Sequence, residues 1–199
     1  MIYLNKWKGI EMDALKFFTV VFLGILGFCF FTGQGSAAQI EKNLDFTLPA
    51  PVNEVHKTYL GLTNNHRFSL GQIKADIVII EIFSMYCPVC QREAANVNTL
   101  FNLIQKKSFK KNIKLIGIGA GNSPFEVNFF KKKYRIKFPL FSDPDFTIHK
   151  KIGSVRTPHF FGLALQGSGK FKVFYSQSGA VPHPEKFLQT ILKESGVKE

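Results

Sequence analysis

Two cysteines separated by two residues are the side chains with the clearest capacity for chemistry in this sequence. Cys87 and Cys90 lie in the segment SMYCPVCQRE, residues 84–93. A close pair of thiols can form a reversible disulfide, supply two ligands to a metal site, or serve as a peroxidase centre. The segments that flank the pair narrow this choice.

A buried strand and an amphipathic helix are predicted on either side of the pair. The segment DIVIIEIFS, residues 76–84, is almost continuously apolar and β-branched, which is typical of a strand covered on both faces. The helical period begins directly afterwards and predicts a helix from about residue 88 to 107. The apolar face of that helix carries Cys90, Ala94, Val97, Phe101 and Ile104. Cys87 is therefore predicted where the strand meets the helix.

A thiol is activated at such a junction. The free N–H groups and the dipole of the first helical turn favour a thiolate, which is the reactive form. Pro88 suits the first helical position, where a missing N–H costs nothing. Cys90 lies one turn further, close enough to form a disulfide with Cys87. The predicted chemistry is thiol-disulfide exchange, in which Cys87 is the nucleophile and Cys90 resolves the mixed disulfide.

The other predicted elements indicate an α/β domain. A weak hairpin is predicted at 58–73, around Asn64 and Asn65. The later predictions are a strand at 113–121, a helix at 123–134, an extended piece at 138–143, a short helix at 144–153, antiparallel strands at 159–165 and 170–176, and a helix at 183–195. This order implies a parallel core of βαβ units with an antiparallel pair at one side.

The sequence gives little support to a metal site. It has no second cysteine pair, and its five histidines are scattered singly, at 56, 66, 149, 159 and 183. A structural zinc site usually needs four ligands in close groups. A copper-carrying module that uses both thiolates and one histidine, such as His159, stays open as an alternative. No metal or other cofactor is predicted.

The N-terminus is typical of an export signal. Lysines accompany an unbroken apolar run from Phe17 to Phe31, and small residues then allow cleavage after Ala38. The run is shorter than the roughly 20 residues of a spanning helix, so residues 1–38 are predicted to be a signal peptide, with a retained membrane anchor as the alternative. Residues 39–199 would form one domain in a bacterial periplasm, either soluble or anchored. Because this domain has a single cysteine pair in an oxidising compartment, a catalytic role for the pair is favoured over a structural disulfide.

The chain is strongly basic, with a formal net charge of +12. Its lysines cluster at 106–114 and 131–137, which favours a solvated basic surface and attraction to an anionic membrane surface. Nucleic-acid binding is not predicted, because the domain is exported and shows no interleaved recognition pattern.

The segment VIIEIFSMYCPVCQRE, followed far downstream by VRTPHF, resembles the thioredoxin superfamily. It is most similar to the exported TlpA/ResA-like branch and its redoxin relatives, and the resemblance covers about residues 44 to 195. It implies a thioredoxin fold: a central mixed β-sheet flanked by helices, with an N-terminal extension and an extra central helix. It also implies disulfide exchange with protein thiols and disulfides.

The resemblance assigns roles to four further residues. Thr157 and Pro158 match the family's loop before a late strand, in which the proline is cis and the loop faces the active sulfur. Glu93 matches an acid near the couple that influences its protonation; the alternative is an ordinary acid on the helix surface. Glu81 matches a buried acid that moves a proton to or from the resolving cysteine, and the alternative is a strand residue at a partly wet edge.

The resemblance also implies a direction of electron flow. Members of this branch often act as reductases that receive electrons through a membrane carrier, although the Pro88–Val89 pair and Tyr86 depart from the family and leave an oxidase role open. A peroxiredoxin-like peroxidase is a further alternative, since Ser84 precedes Cys87 by three residues, as in that family's Thr/Ser-x-x-Cys, and Arg156 lies near the place of its substrate-binding arginine.

Overall fold

The computed structural model describes residues 44–106 and 111–197. The predicted signal peptide or anchor, residues 1–38, lies outside this part of the chain. The helices and strands, in chain order, are β1 (Thr47–Leu48), α1 (Glu54–Leu60), β2 (Phe68–Ser69), β3 (Ile77–Phe83), α2 (Pro88–Lys106), β4 (Ile113–Ala120), α3 (Pro124–Lys133), β5 (Leu140–Asp143), α4 (Thr147–Lys151), β6 (His159–Leu165), β7 (Phe171–Ser178) and α5 (Pro184–Glu194).

A five-stranded mixed sheet forms the centre of the domain, in the order β5-β4-β3-β6-β7. Strands β3, β4 and β5 are parallel, and β6 runs antiparallel to both β3 and β7. Every residue of β3 is buried, as its almost continuously apolar sequence predicts, and this includes Glu81. The prediction of a mixed sheet flanked by helices, with an N-terminal extension and the extra central helix α3, is confirmed.

The two faces of the sheet pack against different elements. On one face, alternate residues of β3 such as Val78 and Ile80 join a core that includes Leu44, Leu60 and Phe68 of the N-terminal extension. On the other face, the remaining residues of β3 contact α2, α3 and α5. Successive strand residues point to opposite faces, so Glu81 shares the second face, on which the apolar side of α2 packs.

The hairpin predicted at residues 58–73 is wrong. Residues Glu54–Leu60 form helix α1, because Asn53 caps its first turn by accepting a hydrogen bond of 2.8 Å from the Val55 N–H. The helix ends at Gly61, which has a φ of +68°. Strand β2 lies within the predicted hairpin, but it pairs with β1 from the preceding segment.

Within residues 44–106 and 111–197, none of the helices has both the length and the apolar character that crossing a membrane requires.

Candidate active site

Residues 84–87 carry the chain from the end of β3 to the start of α2. Cys87 immediately precedes Pro88, the first residue of α2, and is half-buried. Its sulfur accepts a hydrogen bond from the Cys90 N–H at 3.3 Å, in the way that a capping side chain does. Both cysteines are free thiols. The structure thus places Cys87 at the predicted junction of strand and helix.

The surroundings of Cys87 favour its thiolate. Burial alone acts to raise the pKa of this thiol. Hydrogen bonds from the side chains of Cys90 and Thr157 act in the opposite direction, as do the backbone N–H groups of Val89 and Cys90. The net result is a pKa of the Cys87 thiol below its ordinary value, because these donors stabilise the negative charge.

Cys90 has the opposite surroundings. Its side chain is fully buried among the apolar residues between the sheet and α2. Burial raises the pKa of the Cys90 thiol strongly, and its hydrogen bond with Cys87 and the nearby charge of Glu81 raise it further. Cys90 is therefore held as a protonated thiol while Cys87 is the more acidic of the two.

The loop before β6 meets the outer sulfur. The Thr157–Pro158 peptide bond is cis. The Cys87 thiol donates to the Thr157 carbonyl oxygen at 3.3 Å, so the two segments predicted to form the site lie together. The Pro158 carbonyl oxygen accepts a hydrogen bond of 2.9 Å from the Gly179 N–H, which ties this loop to the chain after β7.

Glu81 is a buried acid behind the pair. Its side chain is only 3% exposed, in the central strand of the sheet, and does not lie at a wet edge. Burial raises the pKa of the Glu81 carboxyl to about 8, with smaller contributions from the charges of Glu93 and Cys87. A carboxyl with this pKa is mostly protonated at neutral pH and can still exchange its proton there.

Glu93 is half-buried and holds a neighbouring loop. Its carboxylate accepts hydrogen bonds from the Val181 N–H at 2.8 Å and from the Asn96 side chain at 3.2 Å. It therefore connects α2 to the segment that follows β7. Its charge also contributes to the raised pKa of Glu81, and its influence on the protonation of the cysteines stays a prediction.

Two further residues, which the sequence did not indicate, form hydrogen bonds to the loop that carries Cys87. Asn122 is fully buried after β4 and accepts a hydrogen bond of 2.8 Å from the Met85 N–H. Gln91, on α2, donates to the Met85 carbonyl oxygen at 2.7 Å. The N–H and the carbonyl oxygen of Met85 are therefore both hydrogen-bonded to side chains. The carboxyl ends of parallel strands meet at one edge of a sheet, and this rule brings the residue after β4 to the loop after β3.

A third missed contact joins the same loop to α3. The Tyr86 hydroxyl donates to the carboxylate of Glu126. Glu126 belongs to the capping box of α3, in which its carboxylate also accepts from the Ser123 N–H at 2.7 Å. The exposed aromatic ring beside Cys87 is therefore oriented by the start of the central helix.

His159 does not complete a metal site with the two cysteines. Its ring nitrogens lie 2.7 Å from the Ser178 hydroxyl and 3.0 Å from the Ser176 hydroxyl. The His159 ring packs against Phe161. Phe161 belongs to the hydrophobic core on one face of the sheet, whereas Cys90 belongs to the core on the opposite face. In the described part of the chain, no group of three or more His, Cys, Asp or Glu side chains has an arrangement that could hold a metal ion.

Two solved structures with the same architecture carry names that refer to disulfide chemistry. A putative thiol:disulfide interchange protein DsbE from Chlorobium tepidum aligns with a TM-score of 0.57 and 20% identity, over 78% of this chain and 96% of that one. A secreted disulfide oxidoreductase from Mycobacterium tuberculosis, homologous to E. coli DsbE, aligns with a TM-score of 0.54 and 16% identity, over 77% and 98%. These likenesses confirm the thioredoxin-like fold.

Sequence comparison extends the likeness from fold to homology. The thiol-disulfide oxidoreductase ResA of Bacillus cereus is 25% identical over 160 residues, which are 79% of this chain and 86% of ResA. The predicted resemblance to thiol-disulfide oxidoreductases is thus confirmed at the level of homologues. Residues 41–184, including both cysteines and the Thr157–Pro158 loop, match the AhpC/TSA family. This chain belongs to the AhpC/TSA family.

Proposed function

We propose that this chain is an exported thiol-disulfide oxidoreductase that uses Cys87 and Cys90 to reduce disulfides in protein partners. The observation that supports this most is the unequal state of the two thiols. The Cys87 thiol has a lowered pKa at the helix start, whereas the pKa of the buried Cys90 thiol is raised. Cys87 is thus the thiol that attacks, and Cys90 stays protonated until a mixed disulfide has formed.

In the first step, the Cys87 thiolate attacks one sulfur of a partner disulfide. The partner's S–S bond breaks, a bond forms between Cys87 and the attacked sulfur, and the other partner sulfur leaves as a thiolate that takes up a proton. The Thr157 carbonyl, 3.3 Å from the Cys87 sulfur, supplies a backbone acceptor for the partner's chain.

In the second step, Cys90 resolves the mixed disulfide. Its thiol gives its proton to the ionised fraction of Glu81, whose carboxyl pKa of about 8 suits proton exchange near neutral pH. The Cys90 sulfur then attacks Cys87, and the second partner sulfur leaves and is protonated. Two electrons have passed to the partner, and the chain now holds a Cys87–Cys90 disulfide.

Continued turnover needs a source of electrons for the oxidised pair. We assign this role to a membrane-bound electron donor that meets an exported domain of residues 39–199, with residues 1–38 as its signal peptide or anchor. The formal net charge of residues 39–199 is +11, from 23 Lys and Arg against 12 Asp and Glu, and it favours approach to an anionic membrane surface.

Insulin reduction and the reduction potential of the Cys87–Cys90 couple test this function together. A potential near or below about −270 mV, with rapid insulin reduction, is the expected result, whereas a value nearer about −120 mV would indicate an oxidase. Turnover of hydrogen peroxide without insulin reduction would favour the peroxidase alternative. If alkylation trapping never recovers a Cys87–Cys90 disulfide, the proposal is wrong.

A further inference from the structure

A cavity of about 350 Å³ lies apart from the cysteines, among the segment after β1, helix α3 and strand β5. Its walls are mostly apolar, with contributions from Pro49, Pro51, Val127, Leu140 and Phe141. A volume of this size is within the range of pockets that hold small molecules, and such pockets combine an apolar lining with a few polar groups.

The polar end of this cavity is formed by Lys131 and His56. The Lys131 ammonium lies 3.3 Å from Nδ1 and 3.2 Å from Nε2 of His56, and Nε2 also lies 3.2 Å from the Lys137 carbonyl oxygen. A carbonyl can only accept, so the tautomer that satisfies both neighbours carries its proton on Nε2 and accepts from Lys131 at Nδ1. In this tautomer the His56 ring is neutral, and one of the three N–H bonds of Lys131 is used.

Lys131 has no acidic partner at this site. The residues that line the cavity include no Asp or Glu, and within residues 44–106 and 111–197 the ion pair is that of Lys57 with Glu54. Burial lowers the pKa of the Lys131 ammonium, as expected for a cation that has lost part of its water. Asn128 and Ser142 add further polar groups to the wall beside it.

We propose that this cavity binds a small apolar carboxylate. The carboxylate would accept the two remaining N–H bonds of Lys131, and its hydrocarbon part would lie against Pro49, Pro51 and Phe141. An anion is favoured over a neutral ligand because a charge-assisted hydrogen bond restores what the half-buried ammonium loses on leaving water. An apolar body is favoured over a free inorganic anion because most of the wall cannot hydrogen-bond.

Benzoate is a suitable probe, and benzamide, which has nearly the same shape but no charge, is the control ligand. Saturation-transfer NMR on the protein purified from cells expressing the whole sequence should show benzoate binding and at least tenfold weaker binding of benzamide. Lys131→Met should weaken benzoate binding at least tenfold, whereas Lys132→Met, on the exposed side of the same helix, should leave it unchanged. Insulin reduction by all variants should equal that of the original protein.

A second variant keeps the test independent of any folding defect in Lys131→Met. Asn128→Asp puts a carboxylate on the exposed part of the wall, where it would pair with Lys131 and repel the ligand, and it should also weaken benzoate binding at least tenfold. The proposal is overturned if benzoate does not bind. It is equally overturned if benzamide binds as well as benzoate, or if Lys131→Met and Asn128→Asp leave binding unchanged.

Discussion

The two cysteines lie one helical turn apart, yet their surroundings differ in the properties that control a thiol. Cys87 is half-buried, accepts backbone N–H groups and meets the Thr157 carbonyl at the surface. Cys90 is fully buried on an apolar face, with the acid Glu81 as its neighbouring charge. We call Cys87 and its hydrogen-bond partners the outer region of the site, and Cys90 with Glu81 and the apolar side chains around them the inner region.

The difference shows how one short motif supports two successive steps. Hydrogen-bond donors in the outer region stabilise a negative sulfur, so attack on a partner needs no separate base. The inner region disfavours a negative sulfur, so the proposed second step needs a proton acceptor beside Cys90. Burial raises the pKa of the Glu81 carboxyl to about 8, a value that suits this role. Changes to the two regions should therefore affect different steps.

The largest effects are expected from replacing each sulfur in turn. Cys87→Ser should abolish insulin reduction, because a serine hydroxyl does not ionise at neutral pH. Cys90→Ser should still attack but should stop at the mixed disulfide, because the resolving sulfur is missing. Mass spectrometry of the protein mixed with a disulfide-containing peptide measures this: a covalent adduct should accumulate with Cys90→Ser and be absent with Cys87→Ser. Equal adduct formation by both variants would contradict the assignment of the two roles.

Glu81→Gln should slow the resolving step with little change in the first attack. General acid–base catalysis contributes roughly 10²- to 10⁴-fold, so we expect at least about a tenfold decrease in the rate of Cys87–Cys90 disulfide formation. Stopped-flow measurement with a peptide disulfide separates the two steps. A decrease confined to the first attack would indicate that Glu81 acts on Cys87 instead.

The same substitution should change the pH dependence of stability. The native Glu81 carboxyl keeps its proton up to about pH 8, whereas the unfolded chain releases it near the ordinary pKa of 4.5. The native state thus binds more protons between these values, so the free energy of unfolding should fall as pH rises through this window and level off above it. Glu81→Gln should remove this fall. Urea denaturation at several pH values measures the difference, and equal slopes in both proteins would contradict the raised pKa.

Periodicity predicted most of the fold because β3 and α2 have clear and different patterns. The almost continuous apolar and β-branched run of β3 is typical of a covered strand, and the helical period places the start of α2 at about residue 88, where the structure has it. The failure at residues 58–73 has a local cause. The capping group of α1 is Asn53, which lies outside residues 58–73, and the two-residue strand β2 is too short to show a period.

The candidate site was predictable only where its residues carry a motif. Cys87, Cys90 and the Thr157–Pro158 loop are recognised by spacing and resemblance. Asn122 and Gln91 are ordinary polar residues in the sequence, and their importance comes from the fold, which brings both to the Met85 peptide. The contact between Tyr86 and Glu126 likewise joins residues far apart in the chain.

Asn122→Ala should loosen the outer region without removing a reacting group. The Met85 N–H would lose its partner, and an unsatisfied buried group costs about 1–3 kcal/mol of stability. The loop that carries Cys87 would be less well fixed, so we expect a several-fold decrease in the alkylation rate of Cys87 and no change in the resolving step. Asn102→Ala, on α2 and outside these contacts, is the matched control. Equal alkylation rates in both variants would show that Asn122 does not position the thiol.

The smallest effect is expected from Glu93→Gln, which tests the electrostatic part of the inner region. The glutamine oxygen can still accept the Val181 N–H, so the connection between α2 and the chain after β7 should remain. The negative charge that helps to raise the pKa of Glu81 would be lost, and the pH at which the resolving step is half-maximal should therefore move to lower values by less than about one pH unit. Glu93→Ala loses both the charge and the acceptor, so it should show the same shift together with lower thermal stability. If Glu93→Gln leaves the pH profile in place while Glu93→Ala moves it, Glu93 acts on the inner region by holding the loop, and its charge is not what tunes Glu81.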